Sequence, residues 1–96
     1  MKTREEIIDC LRENKAQLQS RFPLKSLALF GSYARNDHTE ASDIDILVEF
    51  SEPVGFEFLD LHEALEELLK RKIDLVTRNA IKAHYLPYIE DDLINI

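Results

Sequence analysis

The sequence predicts an α/β fold with the element order α-β-α-β-α-β-α, in which a small mixed sheet is flanked by helices. Apolar residues at helical spacing alternate along the chain with short apolar strands, and such alternation is typical of layered α/β domains. The connection between the first two predicted strands, residues 31–42, is short for a parallel crossover, which favours a mixed sheet. Residues 1–96 are expected to form one domain, because a chain of this length has no room for a second core.

The first half of the chain is predicted to hold one helix and two strands. Thr3 and Glu6 match a capping box, and the helix that they begin is expected to run to about Ser20. A buried strand follows over Leu27–Phe30, because this short run is apolar throughout. The second strand, Asp43–Phe50, alternates between polar and apolar residues and so has one apolar face. A short helical turn and a loop are expected between the two strands.

The second half is predicted to hold two helices and one strand. A stripe of apolar residues, mostly leucine, predicts a helix from about Phe56 to Arg71. The alternating run Ile73–Thr77 predicts the third strand. Asn79 is expected to cap a short last helix, and Pro87 to break or restart it. Tyr85 and Tyr88 are predicted to be packing residues of this last helix.

Composition narrows the classes of function. Asp and Glu number 19 against 12 Lys and Arg, giving a net charge of −7. This balance argues against direct nucleic-acid binding and favours a phosphorylated ligand with its cation, or a partner protein with a basic surface. Cys10 is the only cysteine, so neither an intramolecular disulfide nor a Cys-rich zinc site is expected. Without a long apolar run or a signal peptide, the sequence predicts a cytoplasmic protein with no membrane contact.

The most informative pattern is Gly31-Ser32, a ten-residue spacer, and then Asp43-Ile44-Asp45. A Gly-Ser turn after an apolar strand can approach and hold a phosphate. Carboxylates at i and i+2 of a strand share one face, where they repel each other unless a Mg²⁺ or Mn²⁺ ion binds both. Chance produces these four residues at this spacing in roughly one chain in a thousand of this length. The pattern therefore predicts a site for a metal-bound nucleoside triphosphate.

Two further residues are candidates for the same site. Asp74 lies early in the third predicted strand, where it could complete a metal site or accept a proton from an attacking hydroxyl. Arg35 follows Ser32 by three residues and could reach phosphate oxygens. Taken alone, Asp74 is better explained as a strand-end aspartate, whereas Arg35 is equally consistent with a surface arginine.

The pattern Gly31-Ser32-x10-Asp43-x-Asp45, followed by Asp74, resembles the DNA polymerase beta-like nucleotidyltransferase superfamily. The stretches 31–35 and 42–48 are similar to its minimal nucleotidyltransferases, the MntA-type antitoxins that are paired with HEPN-domain toxins. The resemblance implies that the Gly-Ser turn holds the triphosphate, that the paired aspartates bind Mg²⁺, and that the third aspartate completes the acidic set. One departure is Asn36, which stands where many relatives have glycine; asparagine tolerates a left-handed backbone, so the turn can persist.

The resemblance also implies an activity and a partner. Proteins of this kind transfer AMP from ATP, with two Mg²⁺ ions, to a tyrosine of a HEPN RNase toxin encoded nearby, with which they form a hetero-oligomer. The helix Phe56–Arg71 and the segment from Asn79 onward are the expected docking surfaces. Three alternatives stay open at this point: transfer to a small molecule with the help of a partner subunit, an antitoxin that neutralises by binding alone, and a nucleotide-binding regulatory module.

Overall fold

The computed structural model describes residues 3–96. Within this range no helix is long and apolar enough to cross a membrane. The helices are α1 (Arg4–Arg21), α2 (Gly31–Arg35), α3 (Glu57–Leu69) and α4 (Leu86–Glu90). The strands are β1 (Leu24–Phe30), β2 (Ile44–Phe50), β3 (Ile73–Thr77) and β4 (Ile94–Asn95), and a 3₁₀ turn spans Arg78–Ala80. That residues 1–96 form a single domain stays a prediction.

The four strands form one mixed sheet in the order β3-β2-β1-β4. β1 pairs with β2 and with β4 in antiparallel orientation, whereas β2 and β3 are parallel. The mixed α/β fold predicted from the sequence is thus confirmed. The short connection between β1 and β2 is compatible with the antiparallel pairing, and the longer connection through α3 supplies the crossover that the parallel pair needs.

Helix α1 begins at the predicted capping box. The Thr3 hydroxyl accepts from the Glu6 amide at 3.1 Å, and the Glu6 carboxylate accepts from the Thr3 amide at 3.3 Å. The buried residues of α1 and α3 recur at helical spacing and pack with the apolar face of β2 in the core. This core includes Ile7, Leu11, Leu18, Leu61, Leu65, Leu69, Ile44, Ile46 and Val48. Both long helices therefore cover one face of the sheet, and the aspartates of β2 and β3 lie on the other.

The prediction for β2 needs one correction. Leu47 belongs to the face that alternates with the apolar one, yet it is buried, as is its neighbour across the ladder, Ala28. The 3₁₀ turn after β3 contacts β2, so the chain that follows β3 approaches the sheet. β2 therefore buries residues on both faces near its middle and exposes polar groups only toward its ends.

The other corrections concern β1 and the C-terminal segment. β1 begins at Leu24, three residues before the predicted start. The prediction missed these residues because Lys25 and Ser26 are polar and exposed, so the apolar run begins only at Leu27. Asn79 does not cap a helix and lies inside the 3₁₀ turn. Pro87 lies in the first turn of α4, where it restarts the helix. Proline has no N–H, but no hydrogen bond is lost here because backbone N–H groups in the first turn have no partner within the helix. Strand β4, which pairs with the end of β1, is absent from the prediction.

Candidate active site

Gly31 joins β1 to α2 and has a backbone φ of +73°, a conformation that disfavours residues with a Cβ. A Cβ added at this position would collide with Oδ2 of Asp45 and would lie 2.9 Å from the Asp45 Cγ. Glycine is therefore required here because the Asp45 carboxylate lies directly against the backbone. The turn that the sequence predicts to hold a phosphate and the strand that carries the acidic pair meet at this contact.

The structure brings Asp74 beside Asp45. The two residues are register partners on the parallel strands β2 and β3, and Phe30 is the partner of Asp45 on the β1 side. The Asp74 carboxyl lies within hydrogen-bonding reach of Asp45. Asp43 is exposed just before β2 and lies close enough to affect the charge of Asp45.

The electrostatics of the acidic group favour a cation. Burial raises the pKa of Asp45 to about 6, and the neighbouring charges of Asp74 and then Asp43 act in the same direction. Arg35 opposes this shift more weakly. A cation bound beside Asp45 would be stabilised, because it would offset the repulsion between Asp45 and the neighbouring carboxylates.

The donor chemistry fits Mg²⁺ bound together with a substrate. In the part of the chain from residue 3 onward, no three His, Cys, Asp or Glu side chains are arranged as a ready-made metal-ligand group. Asp45 and Asp74 form a pair, and Mg²⁺ is commonly held by one or two carboxylates that share it with substrate phosphates and water. Oxygen ligands alone also exclude the softer metals that prefer sulfur or imidazole.

Arg35 lies at the same pocket but is engaged with carboxylates. Its Nε donates to Asp37 Oδ2 at 3.1 Å, and its Nη1 donates to Asp92 Oδ2 at 3.0 Å. The hydrogen bonds to these two carboxylates, with Asp92 having the larger effect, raise the pKa of the guanidinium, which is already cationic. An incoming phosphate would therefore have to share Arg35 with Asp92 or replace it, a competition that the sequence pattern could not predict.

A pocket of about 390 Å³ is lined by Asp45 and Arg35, whereas Asp43 and Asp74 lie outside its lining. Its lining combines the phosphate turn, the acidic strand and the C-terminal segment: Phe30, Gly31, Ser32, Arg35, Asp45, Tyr88, Ile89 and Asp92. The last three residues are absent from the predicted site. The prediction that Tyr85 and Tyr88 are packing residues is wrong, because they are 55% and 75% exposed. A larger cavity of about 450 Å³ lies at the far ends of β2 and β3 and contains none of the three aspartates.

Arg71 is a further residue that sequence reasoning missed. Its Nη2 donates to the carbonyl oxygens of Glu40 at 2.9 Å and Ser42 at 3.3 Å. The adjacent Ile44 amide donates to the Lys72 carbonyl at 3.0 Å. The chain that leads into Asp43 is thus tied to the chain that leads into β3. An arginine just after a helix carries no signal that distinguishes it from a solvated surface residue.

Comparison with known proteins identifies the family of this chain. A family model described as the nucleotidyltransferase domain matches residues 11–95. The chain is 47% identical to a Methanocaldococcus jannaschii protein that carries the provisional name protein adenylyltransferase, and the match covers 100% of both chains. It is also 43% identical to the protein adenylyltransferase MntA of Thermococcus cleftensis, over 86% of this chain and 85% of that one.

Solved structures show the same fold. One, provisionally described as a minimal nucleotidyltransferase, has a TM-score of 0.83 at 28% identity and covers 99% of this chain and 97% of that chain. A toxin–antitoxin structure with AMP-PNP gives a TM-score of 0.68 at 25% identity, over 96% and 70% of the two chains. A structure described as a tri-AMPylated Shewanella oneidensis HEPN toxin in complex with MNT antitoxin gives 0.58 at 24% identity, over 96% and 66%. The chain belongs to the nucleotidyltransferase domain family and is a minimal nucleotidyltransferase, an enzyme whose full-length relatives are named protein adenylyltransferases.

Proposed function

We propose that this enzyme transfers AMP from ATP to a tyrosine hydroxyl of a HEPN-type RNase toxin encoded nearby, and that it thereby acts as the antitoxin of the pair. The observation that carries the proposal is the contact of the Gly31-Ser32 turn with Asp45, which in turn lies beside Asp74. A phosphate held at the turn would place its neighbouring phosphates against the acidic group. The relatives named protein adenylyltransferase support transfer to a protein, and the toxin–antitoxin structure with AMP-PNP supports an adenine nucleotide.

The roles of the site residues follow from this placement. The backbone amides at the start of α2 and the Ser32 hydroxyl would bind the terminal phosphates, because the N-cap Phe30 provides no side-chain hydrogen bond to them. Asp43, Asp45 and Asp74 would hold two Mg²⁺ ions, or Mn²⁺, which when bound neutralise phosphate charge and favour ionisation of the attacking hydroxyl.

The transfer itself is an in-line displacement. The tyrosine oxygen of the acceptor forms a bond to the α-phosphorus, the bond from that phosphorus to the bridging oxygen of the β-phosphate breaks, and pyrophosphate leaves. Free tyrosine has a pKa near ~10, so the phenolic proton needs a base at pH 7. Asp74, which is exposed beside Asp45, is the group that would accept it.

The surface of the molecule supports a protein acceptor. Phe56 is 80% exposed and Leu59 is 55% exposed, and both lie at the beginning of α3. Tyr85 and Tyr88 are exposed in the C-terminal segment. Large exposed apolar side chains of this kind are typical of interaction surfaces. They lie on the two segments that the sequence predicts as docking surfaces, and the net charge of −7 complements a basic, RNA-handling partner.

The experiment that tests the proposal measures the RNase activity of the partner toxin. Preincubation with the wild-type enzyme and Mg-ATP is expected to abolish that activity, and omission of ATP or use of Asp43→Asn is expected to preserve it. Asp9→Asn is a matched control, because Asp9 is an exposed carboxylate of α1 outside the pocket. Neutralisation without ATP would instead indicate an antitoxin that acts by binding alone. A toxin that stays active in every mixture would leave transfer to a small molecule as the surviving function.

A further inference from the structure

The C-terminal segment forms one side of the pocket that holds the phosphate turn. Tyr88, Ile89 and Asp92 line this pocket together with Gly31 and Asp45. The proposed transfer mechanism assigns this segment no role in binding the nucleotide. Its position beside the phosphate turn nevertheless means that a bound nucleotide would contact it.

The segment is held in place by contacts of the residues that follow Tyr88. After it, Asp92 forms the 3.0 Å ion pair with Arg35, and Ile94 pairs with Leu29 in the sheet. Within the same short helix, Glu90 accepts from Arg78 Nη2 at 2.7 Å. The exposed ion pairs contribute little stability individually, but together with the strand pairing they fix the position of α4 relative to the phosphate turn.

Tyr88 presents an aromatic ring at this position. Its residue surface is 75% exposed, whereas tyrosines are usually at least partly buried. The pocket volume of about 390 Å³ lies in the range of small-molecule sites. An aromatic ring that is open to solvent and adjoins a phosphate-binding turn is suited to stack against a flat ligand group, because stacking removes apolar surface from water on both partners.

We propose that Tyr88 stacks against the base of the nucleotide whose phosphates are bound at Gly31 and Ser32. This inference rests on the proposed function and adds a binding residue to the same site. Aromatic stacking is tolerant of base identity, so Tyr88 contributes affinity for a nucleotide and little discrimination between bases. The ring, and not the hydroxyl, is the group that matters.

The test compares two ligands by titration calorimetry in the presence of Mg²⁺. ATP carries a base, and inorganic tripolyphosphate carries the phosphates alone. Tyr88→Ala is expected to bind ATP between about 5-fold and about 150-fold more weakly than the wild type, since stacking on one base contributes about 1–3 kcal/mol. It is expected to bind tripolyphosphate as the wild type does. Tyr88→Phe, which keeps the ring, is expected to bind both ligands normally.

Tyr85→Ala is the matched control. Tyr85 is an exposed tyrosine one turn earlier in the same segment and lies outside the lining of the pocket. Three results would overturn the inference: unchanged ATP binding by Tyr88→Ala, an equal loss for ATP and tripolyphosphate, or an equal loss in Tyr85→Ala. Loss of ATP binding in Tyr88→Phe would also overturn it, because the hydroxyl would then be the active group. If the wild type bound neither ligand, the proposed nucleotide site itself would be wrong.

Discussion

At the scale of single residues, the site depends on the close approach of Gly31 and Asp45. Gly31→Ala is expected to destabilise the fold by about 1–3 kcal/mol, because alanine disfavours the positive φ and its Cβ would collide with the Asp45 carboxylate. Urea unfolding measures this loss. Gly55→Ala is the control, since a Cβ at Gly55 meets nothing within 4 Å. Equal stability of the two variants would contradict the assigned contact.

Asp45 also makes the stability of the fold depend on pH. Its pKa of about 6 lies above the ordinary 3.8, so between these values the folded protein holds a proton that the unfolded chain has lost. The free energy of unfolding therefore falls as the pH rises from about 4 to about 6. A shift of about two pKa units corresponds to about 3 kcal/mol, and the half-exposed position of the group reduces this to the order of 1 kcal/mol.

Asp45→Asn should consequently be more stable than the wild type at pH 7, by roughly 1 kcal/mol, and should lose this advantage near pH ~4. Unfolding curves at the two pH values measure both effects. Asp9→Asn, an exposed carboxylate of α1, should show no such gain. If Asp45→Asn were the less stable protein at pH 7, the repulsion inferred for the acidic group would be wrong.

The sequence identified candidate residues for this site but not the contacts that these residues make. The position of Asp74 early in β3 made it a candidate for the acidic site, but its pairing with Asp45 depends on β3 lying beside β2, which the sequence pattern does not fix. The partner of Arg35 is Asp92, which is 57 residues away in the sequence. No local pattern encodes such a pair, since it depends on where the C-terminal segment crosses the sheet.

At the scale of elements, Arg71 links the loop before Asp43 to the start of β3. Arg71→Ala is expected to raise the Mg²⁺ concentration required for ATP binding by about fivefold, since a hydrogen bond from a charged group at a partly exposed site contributes about 1 kcal/mol. Titration of Mg²⁺ at fixed ATP measures this change, with the free energy of unfolding recorded in parallel.

Lys72→Ala provides the control for Arg71. It removes an exposed positive charge from the adjacent position and keeps the backbone carbonyl that accepts from Ile44. If both variants shifted the Mg²⁺ requirement equally, the effect would be electrostatic. In that case Arg71 would not position the loop.

Elements with strong periodicity were predicted well, and those formed by tertiary contacts were not. The leucine stripe placed α3 within two residues of its observed ends, and the bounds of β3 are as predicted. β4 is only two residues long and forms because it meets the edge of β1. A strand of this length has no period of its own, so the sequence alone contains no signal for it.

At the scale of the whole molecule, nucleotide binding should stabilise the fold. A ligand present at about 100 times its dissociation constant adds about 2.7 kcal/mol, which for a domain of this size raises Tm by roughly 10 °C or more. Thermal melts with Mg-ATP should show such a shift for the wild type and a much smaller one for Asp43→Asn. An unchanged Tm at millimolar Mg-ATP, in a well-folded sample, would argue against a nucleotide site.

The central claim is that this small acidic enzyme uses a partner protein as its acceptor. The most direct measurement is the intact mass of the HEPN protein after incubation with the enzyme and Mg-ATP, followed by peptide mapping. The account predicts one or more added AMP groups on a tyrosine with the wild type and with Asp9→Asn, and none with Asp43→Asn or Asp74→Asn. An unmodified partner in the wild-type reaction, or modification that persists with Asp43→Asn, would contradict it.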